Sequence, residues 1–150
     1  DFKPWRFKRR APGDHDVQFD VLYCGVCHSD LHIAANHFQQ LGMDATYPCV
    51  VGHEISGVVT YAGPKVTKFK AGDHIGVGCM VDSCMECQPC KEGREQQCKK
   101  PASLAGVQVY QDINKHGRAA VWPEGSKTQG GYSNVMVVHE HFGILIPKSY

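Results

Sequence analysis

The 150-residue sequence predicts one mainly β domain, a barrel or sandwich with short helices and a cysteine-rich metal lobe. Three observations predict this class. Apolar and polar residues alternate in several short stretches, glycines separate those stretches, and four cysteines fall within fifteen residues. A hydrophobic content of 42% is ordinary for a globular domain, and a net charge of +1 gives no reason to expect a polyanionic partner.

The first predicted strand runs from Asp16 to Cys24, where apolar side chains alternate with polar ones. A helix is expected soon after this strand, with Ser29 or Asp30 capping its first turn. Its apolar positions recur at helical spacing, namely Leu31, Ala34, Ala35 and Phe38.

The later strands are short and separated by glycine. An apolar run extends from Ile55 to Tyr61, and a further strand is predicted from His74 to Val77. Two more are expected beyond the cysteine lobe, one from Tyr132 to Val137 and one from Phe142 to Ile146. The polar stretch 101–130 has no assignable period.

Basic residues are concentrated near the start of the chain, where they could be taken for a nucleic-acid-binding arm. Proline and aromatic residues interleave with them and acidic residues follow, so a solvated strand edge is the preferred interpretation. The basic residues of this segment are Lys3, Arg6, Lys8, Arg9 and Arg10. Because no apolar run resembles a signal peptide or a membrane span, the sequence predicts a cytoplasmic protein without membrane or nucleic-acid partners.

The cysteine lobe carries the most specific local signal. Two Cys-x-x-Cys steps share their middle cysteine, and a fourth thiol follows after seven residues, which allows four sulfurs to surround one zinc ion. These are Cys84, Cys87, Cys90 and Cys98. Four sulfurs leave no open position, so a structural zinc is expected. Free or disulfide-linked thiols are the alternative, which the spacing and the missing secretion signal disfavour.

A second set of metal-ligand residues is divided between two segments. Cys27 follows the first strand, and His53 and Glu54 precede the next. Thiolate and imidazole are ligands that zinc prefers, and a catalytic zinc keeps one position open. Ser29 and His32, two and five residues beyond the thiol, could carry a proton away from a reacting oxygen.

Each of these residues also has an ordinary structural interpretation. Taken alone, His53 would be a core histidine, although the nearby thiol and carboxylate disfavour this. His32 could be a surface helix residue, and Ser29 could serve only as a helix cap. Cys49 and Cys79 are expected to pack as small hydrophobic residues.

Together the motifs resemble those of the zinc-dependent medium-chain alcohol dehydrogenases. In the family's order they are Cys27-His28-Ser29-Asp30-Leu31-His32, Gly52-His53-Glu54, Gly72-Asp73, the four-cysteine lobe and Gly130-Gly131-Tyr132. The stretch from Tyr23 to His32 is most similar to the cinnamyl alcohol dehydrogenase branch. The resemblance implies that residues 1–150 form a GroES-like catalytic domain, a partly open β-barrel. The Rossmann-type nucleotide-binding domain of the family is expected to be absent from this chain.

The resemblance implies roles at the metal. Cys27 and His53 match the ligands of the catalytic zinc, and Glu54 matches an acidic residue beside it. Asp30 matches a carboxylate that orients the zinc-bound imidazole. The family's third ligand, another cysteine, follows the segment equivalent to Ile146-Pro147 and is expected beyond this chain, which is therefore interpreted as an incomplete catalytic domain.

The resemblance also implies a reaction. Ser29 and His32 match the proton relay, and His28 matches a position that faces the cofactor phosphates. The implied chemistry is hydride transfer between NADP(H) and a primary alcohol, aromatic or allylic in the cinnamyl branch, or the reverse reduction of an aldehyde. A homodimer through the nucleotide-binding domain is also implied. The segment between Cys27 and His53 runs a few residues longer than in that branch.

Two functional hypotheses follow. The preferred one is the catalytic domain of an alcohol dehydrogenase, and the alternative is a zinc-stabilised binding or scaffold domain without turnover. The 150-residue chain alone is expected to be inactive, because no Gly-x-Gly-x-x-Gly motif follows any of its strands.

Overall fold

The fold is one antiparallel sheet of five strands, which a computed structural model describes for residues 2–41, 47–99 and 129–150. The strands are β1 (Asp16–Cys24), β2 (Ile55–Ala62), β3 (His74–Val77), β4 (Val135–His139) and β5 (Gly143–Ile146). Their order in the sheet is β4-β1-β2-β3-β5. The prediction of a mainly β domain is confirmed.

The two edge strands show that the sheet is strongly curved. Only the 3-10 helix Glu140–Phe142 separates β4 from β5 in the chain, although they lie at opposite edges of the sheet. Such a link spans at most about 15 Å, whereas the edges of a flat five-stranded sheet are about 19 Å apart. The sheet therefore curls into a partly open barrel, as the sequence predicts.

The core consists of apolar side chains that the strands bury between them. Along β1 and β2 buried residues alternate with more exposed ones over much of their length, which explains the period-two pattern of the sequence. The most deeply buried members are Val17, Phe19, Val59, Ile75, Met136 and Val138.

Two predicted strands begin later than the sequence pattern indicates. Tyr132 precedes β4, because the backbone of residues 130–132 bonds to residues 50–52 instead of to the sheet. Phe142 belongs to the 3-10 helix before β5. The bounds predicted for β1 and β3 are confirmed.

The helices are short. Helix α1 spans His28–Ala34 and α2 spans Gln88–Lys91, and none of the helices in the described ranges is long and apolar enough to cross a membrane. The predicted continuation of α1 to Phe38 is wrong. Asn36 adopts a positive φ of 57°, which ends the helix before the 3-10 helix His37–Leu41 begins.

The start of the chain is not the strand edge that the sequence predicts. Residues 2–13 form no regular secondary structure. Arg10 is not solvated either, because its guanidinium forms an ion pair with the buried carboxylate of Asp16, with Nη2 at 2.8 Å from Oδ1.

Candidate metal centres

The segments after β1 and before β2 meet at one end of the sheet. Antiparallel pairing places Cys24 opposite Ile55, so the residues just beyond each are brought together. The ligand atoms of Cys27, His53 and Glu54 lie within 4.8 Å of one another. The first two side chains are half-buried and the third is exposed. The geometry thus brings the two predicted zinc ligands and the predicted acidic neighbour into one cluster.

Asp30 is buried against His53 and determines which ring nitrogen carries the proton. Its Oδ1 lies 3.2 Å from His53 Nδ1 and accepts a 3.0 Å hydrogen bond from the Gly52 amide. A neutral imidazole has one N–H, so the proton lies on Nδ1 and Nε2 keeps its lone pair. Ser29 Oγ lies 3.1 Å from this Nε2 and 3.2 Å from Cys27 Sγ. The nitrogen that a metal needs therefore faces the thiol.

The Asp30 carboxylate stays ionised despite its burial. Burial raises its pKa, but hydrogen bonds from the Cys27 amide, the Tyr132 hydroxyl and the Gly52 amide, together with His53, lower the pKa overall. An ionised carboxylate can accept the second N–H of a metal-bound imidazole and so fix the orientation of the ring. Asp30 also caps α1 from its third position, where it accepts a 3.1 Å hydrogen bond from the Cys27 amide.

Tyr132 is a site residue to which sequence reasoning gave no role. Its amide donates to Val51 O at 3.0 Å, which fixes the segment beside the loop before β2. Its hydroxyl donates to Asp30 Oδ2 at 2.8 Å. A side chain at Gly131 would prevent this approach, because a Cβ there would lie 2.3 Å from Ile55 Cγ1. The sequence signal was the glycine pair directly before the tyrosine.

Arg9 anchors the segment that carries Tyr132. Its guanidinium donates to the carbonyls of Gly130 at 2.6 Å and Val135 at 2.9 Å, and to Ser133 Oγ at 2.7 Å. The predicted solvated position is therefore wrong for Arg9. No local pattern reveals this role, because its partners lie more than 120 residues away.

Cys24 lies beside the site but outside the group of ligand atoms. Its Sγ would be 2.7 Å from a Cβ at Gly52, so the thiol fills space under the loop. Burial raises the pKa of the Cys24 thiol, and the charge on Asp30 adds to this effect. The geometry is therefore consistent with Cys27 as the sulfur ligand.

The donor set of the first cluster suits zinc. A thiolate, an imidazole and a carboxylate are the three ligand types that zinc binds. The carboxylate of Glu54 occupies space beside Gly25, where an added Cβ would lie 2.3 Å from its Oε2. Zinc ligation by Cys27 and His53 stays a prediction, and the residues present fit it.

On α1, His28 is exposed and His32 is half-buried. Their rings stack with centroids 4.8 Å apart and planes inclined by 14°. His32 also contacts His37, with 3.0 Å between the two Nδ1 atoms. Ser29 lies one turn before His32 on the same helix.

The second cluster is formed by the four lobe cysteines. The sulfur atoms of Cys84, Cys87, Cys90 and Cys98 lie within 4.8 Å of one another. Backbone amides point at the sulfurs, since the Cys87 amide lies 3.3 Å from Cys84 Sγ and the Cys84 amide 3.4 Å from Cys98 Sγ. Hydrogen bonds from amides stabilise thiolates. The four sulfurs fit a closed tetrahedral zinc site.

The lobe is tied to the barrel by a side-chain contact. His141 Nε2 lies 2.7 Å from Oε1 of Glu95, which belongs to the 3-10 helix just before Cys98. Cys49 and Cys79 pack against Val51 as half-buried residues, and this confirms their predicted role as small hydrophobic residues.

Comparison with known proteins agrees with this geometry. Residues 13–148 match the alcohol dehydrogenase GroES-like domain. The chain is 49% identical over 97% of its length to cinnamyl alcohol dehydrogenase 2 from Rauvolfia serpentina and to mannitol dehydrogenase from Petroselinum crispum, and it covers 36% and 38% of them.

Solved structures show the same similarity. A cinnamyl alcohol dehydrogenase from Sorghum bicolor matches 98% of the chain with a TM-score of 0.79 and 41% identity, and the chain covers 37% of it. The Helicobacter pylori enzyme complexed with NADP(H) matches 99% with a TM-score of 0.79 and 40% identity, and the chain covers 38% of it. The chain thus spans little more than a third of the length of these relatives. It belongs to the alcohol dehydrogenase GroES-like domain family.

Proposed function

We propose that the polypeptide carrying these residues is a zinc-dependent alcohol dehydrogenase or aldehyde reductase. It transfers hydride between NADP(H) and a primary alcohol of aromatic or allylic type. The observation that carries the proposal is the position of Ser29 Oγ, 3.1 Å from His53 Nε2 and 3.2 Å from Cys27 Sγ. A hydroxyl between two metal-ligand side chains is well placed to exchange a proton with an oxygen that reacts there.

The relatives support the finer parts of the proposal. Several are named as cinnamyl alcohol dehydrogenases, and one solved relative is a complex with NADP(H). Others are named as mannitol dehydrogenases, so the substrate class needs a direct test.

Two zinc ions belong to the proposal. Cys27 and His53 would hold one of them with Glu54 beside it, and the four lobe cysteines would hold the other. At the first site zinc supplies Lewis acidity that lowers the pKa of an alcohol. At the second it contributes folding energy to a lobe with few apolar residues of its own.

The side chains around the first site would orient the ligand and move the proton. Asp30 keeps the proton of His53 on Nδ1, so Nε2 is available as a ligand. When Nε2 is used in this way, the Ser29 hydroxyl loses an acceptor and can turn to a substrate oxygen. It would accept the alcohol proton and pass its own proton outward toward His32, and NADP(H), when bound, would supply the hydride acceptor or donor. His28 would face the cofactor phosphates.

The cofactor would be held mainly outside these residues. The described ranges contain one antiparallel sheet and no parallel β–α–β unit of the kind that binds dinucleotides. We therefore propose that residues 1–150 act as the catalytic domain beside a separate nucleotide-binding domain, which would also form the dimer.

The proposal is tested by an activity assay of the whole protein that contains residues 1–150. The assay measures the oxidation of NADPH with cinnamaldehyde as the hydride acceptor. We expect Ser29→Ala to lower kcat by about 10²-fold or more. Ser29→Thr keeps the hydroxyl and should retain activity, and the exposed Ser149→Ala is the surface control. The 150-residue chain alone should be inactive.

Two outcomes would contradict the proposal in different ways. Faster turnover of mannitol with NAD would overturn the substrate class and the cofactor but not the reaction. Stoichiometric zinc without turnover on any alcohol would favour the scaffold alternative.

A further inference from the structure

His37 extends the row of histidines on α1 toward solvent. Its Nδ1 lies 3.0 Å from Nδ1 of His32, and the ring centroids are 5.3 Å apart at an angle of 60°. The residue lies in the segment between Cys27 and His53 that is longer than in the cinnamyl branch. The family resemblance therefore assigns it no role.

The contact requires one proton shared between the two rings. Two Nδ1 atoms at this distance form a hydrogen bond only if one carries hydrogen and the other offers its lone pair. This use of Nδ1 leaves Nε2 of His32 as the other ring nitrogen that can exchange a proton. His32 is half-buried and His37 is exposed. The pair therefore leads from the helix to water.

The surroundings of His32 favour passing a proton onward. Its described ring contacts are His28, stacked at 4.8 Å, His37, and Phe38 at 5.4 Å. In the described part of the chain, none of these contacts is a carboxylate that could stabilise a positive charge on His32.

We propose that His37 is the outer member of the proton relay, an inference that rests on the proposed dehydrogenase function. In alcohol oxidation a proton arrives at Nε2 of His32, and the proton on its Nδ1 passes to Nδ1 of His37. His37 then releases its Nε2 proton to water. Both rings end neutral with their tautomers interchanged, which is the arrangement that delivers a proton inward during aldehyde reduction. Repeated outward transfer requires the tautomers to be reset through water.

Steady-state kinetics of the polypeptide that carries these residues tests the relay. We expect His37→Gln to lower kcat by about 3- to 10-fold at low buffer concentration, with KM unchanged, because water replaces a positioned base only poorly. Added imidazole should restore kcat. The matched control is His15→Gln, an exposed histidine in contact with Glu140, which should behave like wild type.

Nitrogen NMR of the histidine rings in the 150-residue chain gives a readout that does not depend on turnover. In wild type one of the two Nδ1 atoms should be protonated and hydrogen-bonded. His37→Gln should change the tautomer of His32, whereas His15→Gln should not.

The outcomes separate the relay from the function on which it rests. An inactive wild type would overturn the proposed function. An active wild type with full kcat in His37→Gln at low buffer, or a His32 tautomer that His37→Gln does not alter, would overturn the relay.

Discussion

The Tyr132 hydroxyl donates a 2.8 Å hydrogen bond to Oδ2 of Asp30, across 102 positions of the chain. The other carboxylate oxygen of Asp30 faces Nδ1 of His53. Burial, followed by the hydrogen bond to Asp30 and its charge, raises the pKa of Tyr132. The phenol therefore remains protonated and remains a donor at neutral pH. Tyr132 thus acts on the candidate ligand through the carboxylate.

Tyr132→Phe should weaken zinc binding at the Cys27–His53 site. Without the phenolic donor the carboxylate is less well fixed, and loss of such partners typically lowers metal affinity by about 10–100-fold. Competition with a chelator would measure this in the polypeptide that carries these residues. Tyr61→Phe, an exposed change on β2, is the control. Equal zinc affinity in Tyr132→Phe and wild type would show that Tyr132 does not position the ligand.

Gly52→Ala should destabilise the fold more than Gly72→Ala. Both glycines have positive φ, 104° and 86°, but a Cβ at Gly52 would lie 2.7 Å from Cys24 Sγ whereas one at Gly72 meets nothing within 4 Å. Backbone strain alone costs about 1–2 kcal/mol, and overpacking raises the cost at Gly52 to about 2–5 kcal/mol. Urea denaturation would measure the difference. Equal midpoints for the two variants would contradict the crowding seen around Gly52.

Cys98→Ser should remove zinc from the lobe, whereas Cys79→Ser should not. Cys98 contributes one of four converging sulfurs, and Cys79 packs with apolar neighbours. Zinc analysis of the purified chain, together with its midpoint of thermal unfolding, checks both variants. Retention of the full zinc content by Cys98→Ser would mean that the four sulfurs do not form one site.

Glu140→Gln should reduce both the stability and its dependence on pH. The carboxylate accepts hydrogen bonds from the amides of Thr67 at 2.7 Å and Lys68 at 2.8 Å. Burial raises the pKa of Glu140, but these bonds and the contact with His15 lower it below its ordinary 4.5. Hydrogen bonds to a charged group contribute about 1.5–3 kcal/mol.

The lowered pKa fixes the direction of the pH effect for Glu140. Its contribution is fully present above about pH 4.5 and is lost as the pH falls through the lower folded-state pKa. Chemical denaturation at neutral and acidic pH should therefore show a shallower loss of stability in Glu140→Gln. The exposed Asp20→Asn is the control, and parallel pH curves for wild type and Glu140→Gln would refute the assignment.

The sequence predicts features that are encoded locally. The bounds of β1 follow from alternating burial, and the convergence of the lobe cysteines follows from their spacing. The order of the motifs also predicts that Cys27 and His53 lie close together, because one follows β1 and the other precedes β2. The sheet order was not predicted, since nothing in β4 or β5 specifies opposite edges of a barrel.

The roles of Arg9 and Tyr132 depend on distant partners. The basic residues near the start of the chain alternate with proline and aromatic residues, a pattern that predicts solvated side chains. The guanidinium of Arg9 instead binds the carbonyl of Gly130. Tyr132 looks like the start of a strand, yet its backbone bonds to Val51. Such contacts arise only after the chain has folded back on itself, so no window of neighbouring residues contains them.

The position of β4 in the sheet implies an order of events during biosynthesis. β4 pairs with β1, with Val138 opposite Val17, and the segment before β4 supplies the Tyr132 bond to Asp30. Until the ribosome has released residues 129–139, β1 is an edge strand and the Cys27–His53 pair lacks this support. The lobe has all four of its cysteines once Cys98 has emerged. If both clusters bind zinc as proposed, a nascent chain would complete the lobe site before the Cys27–His53 site.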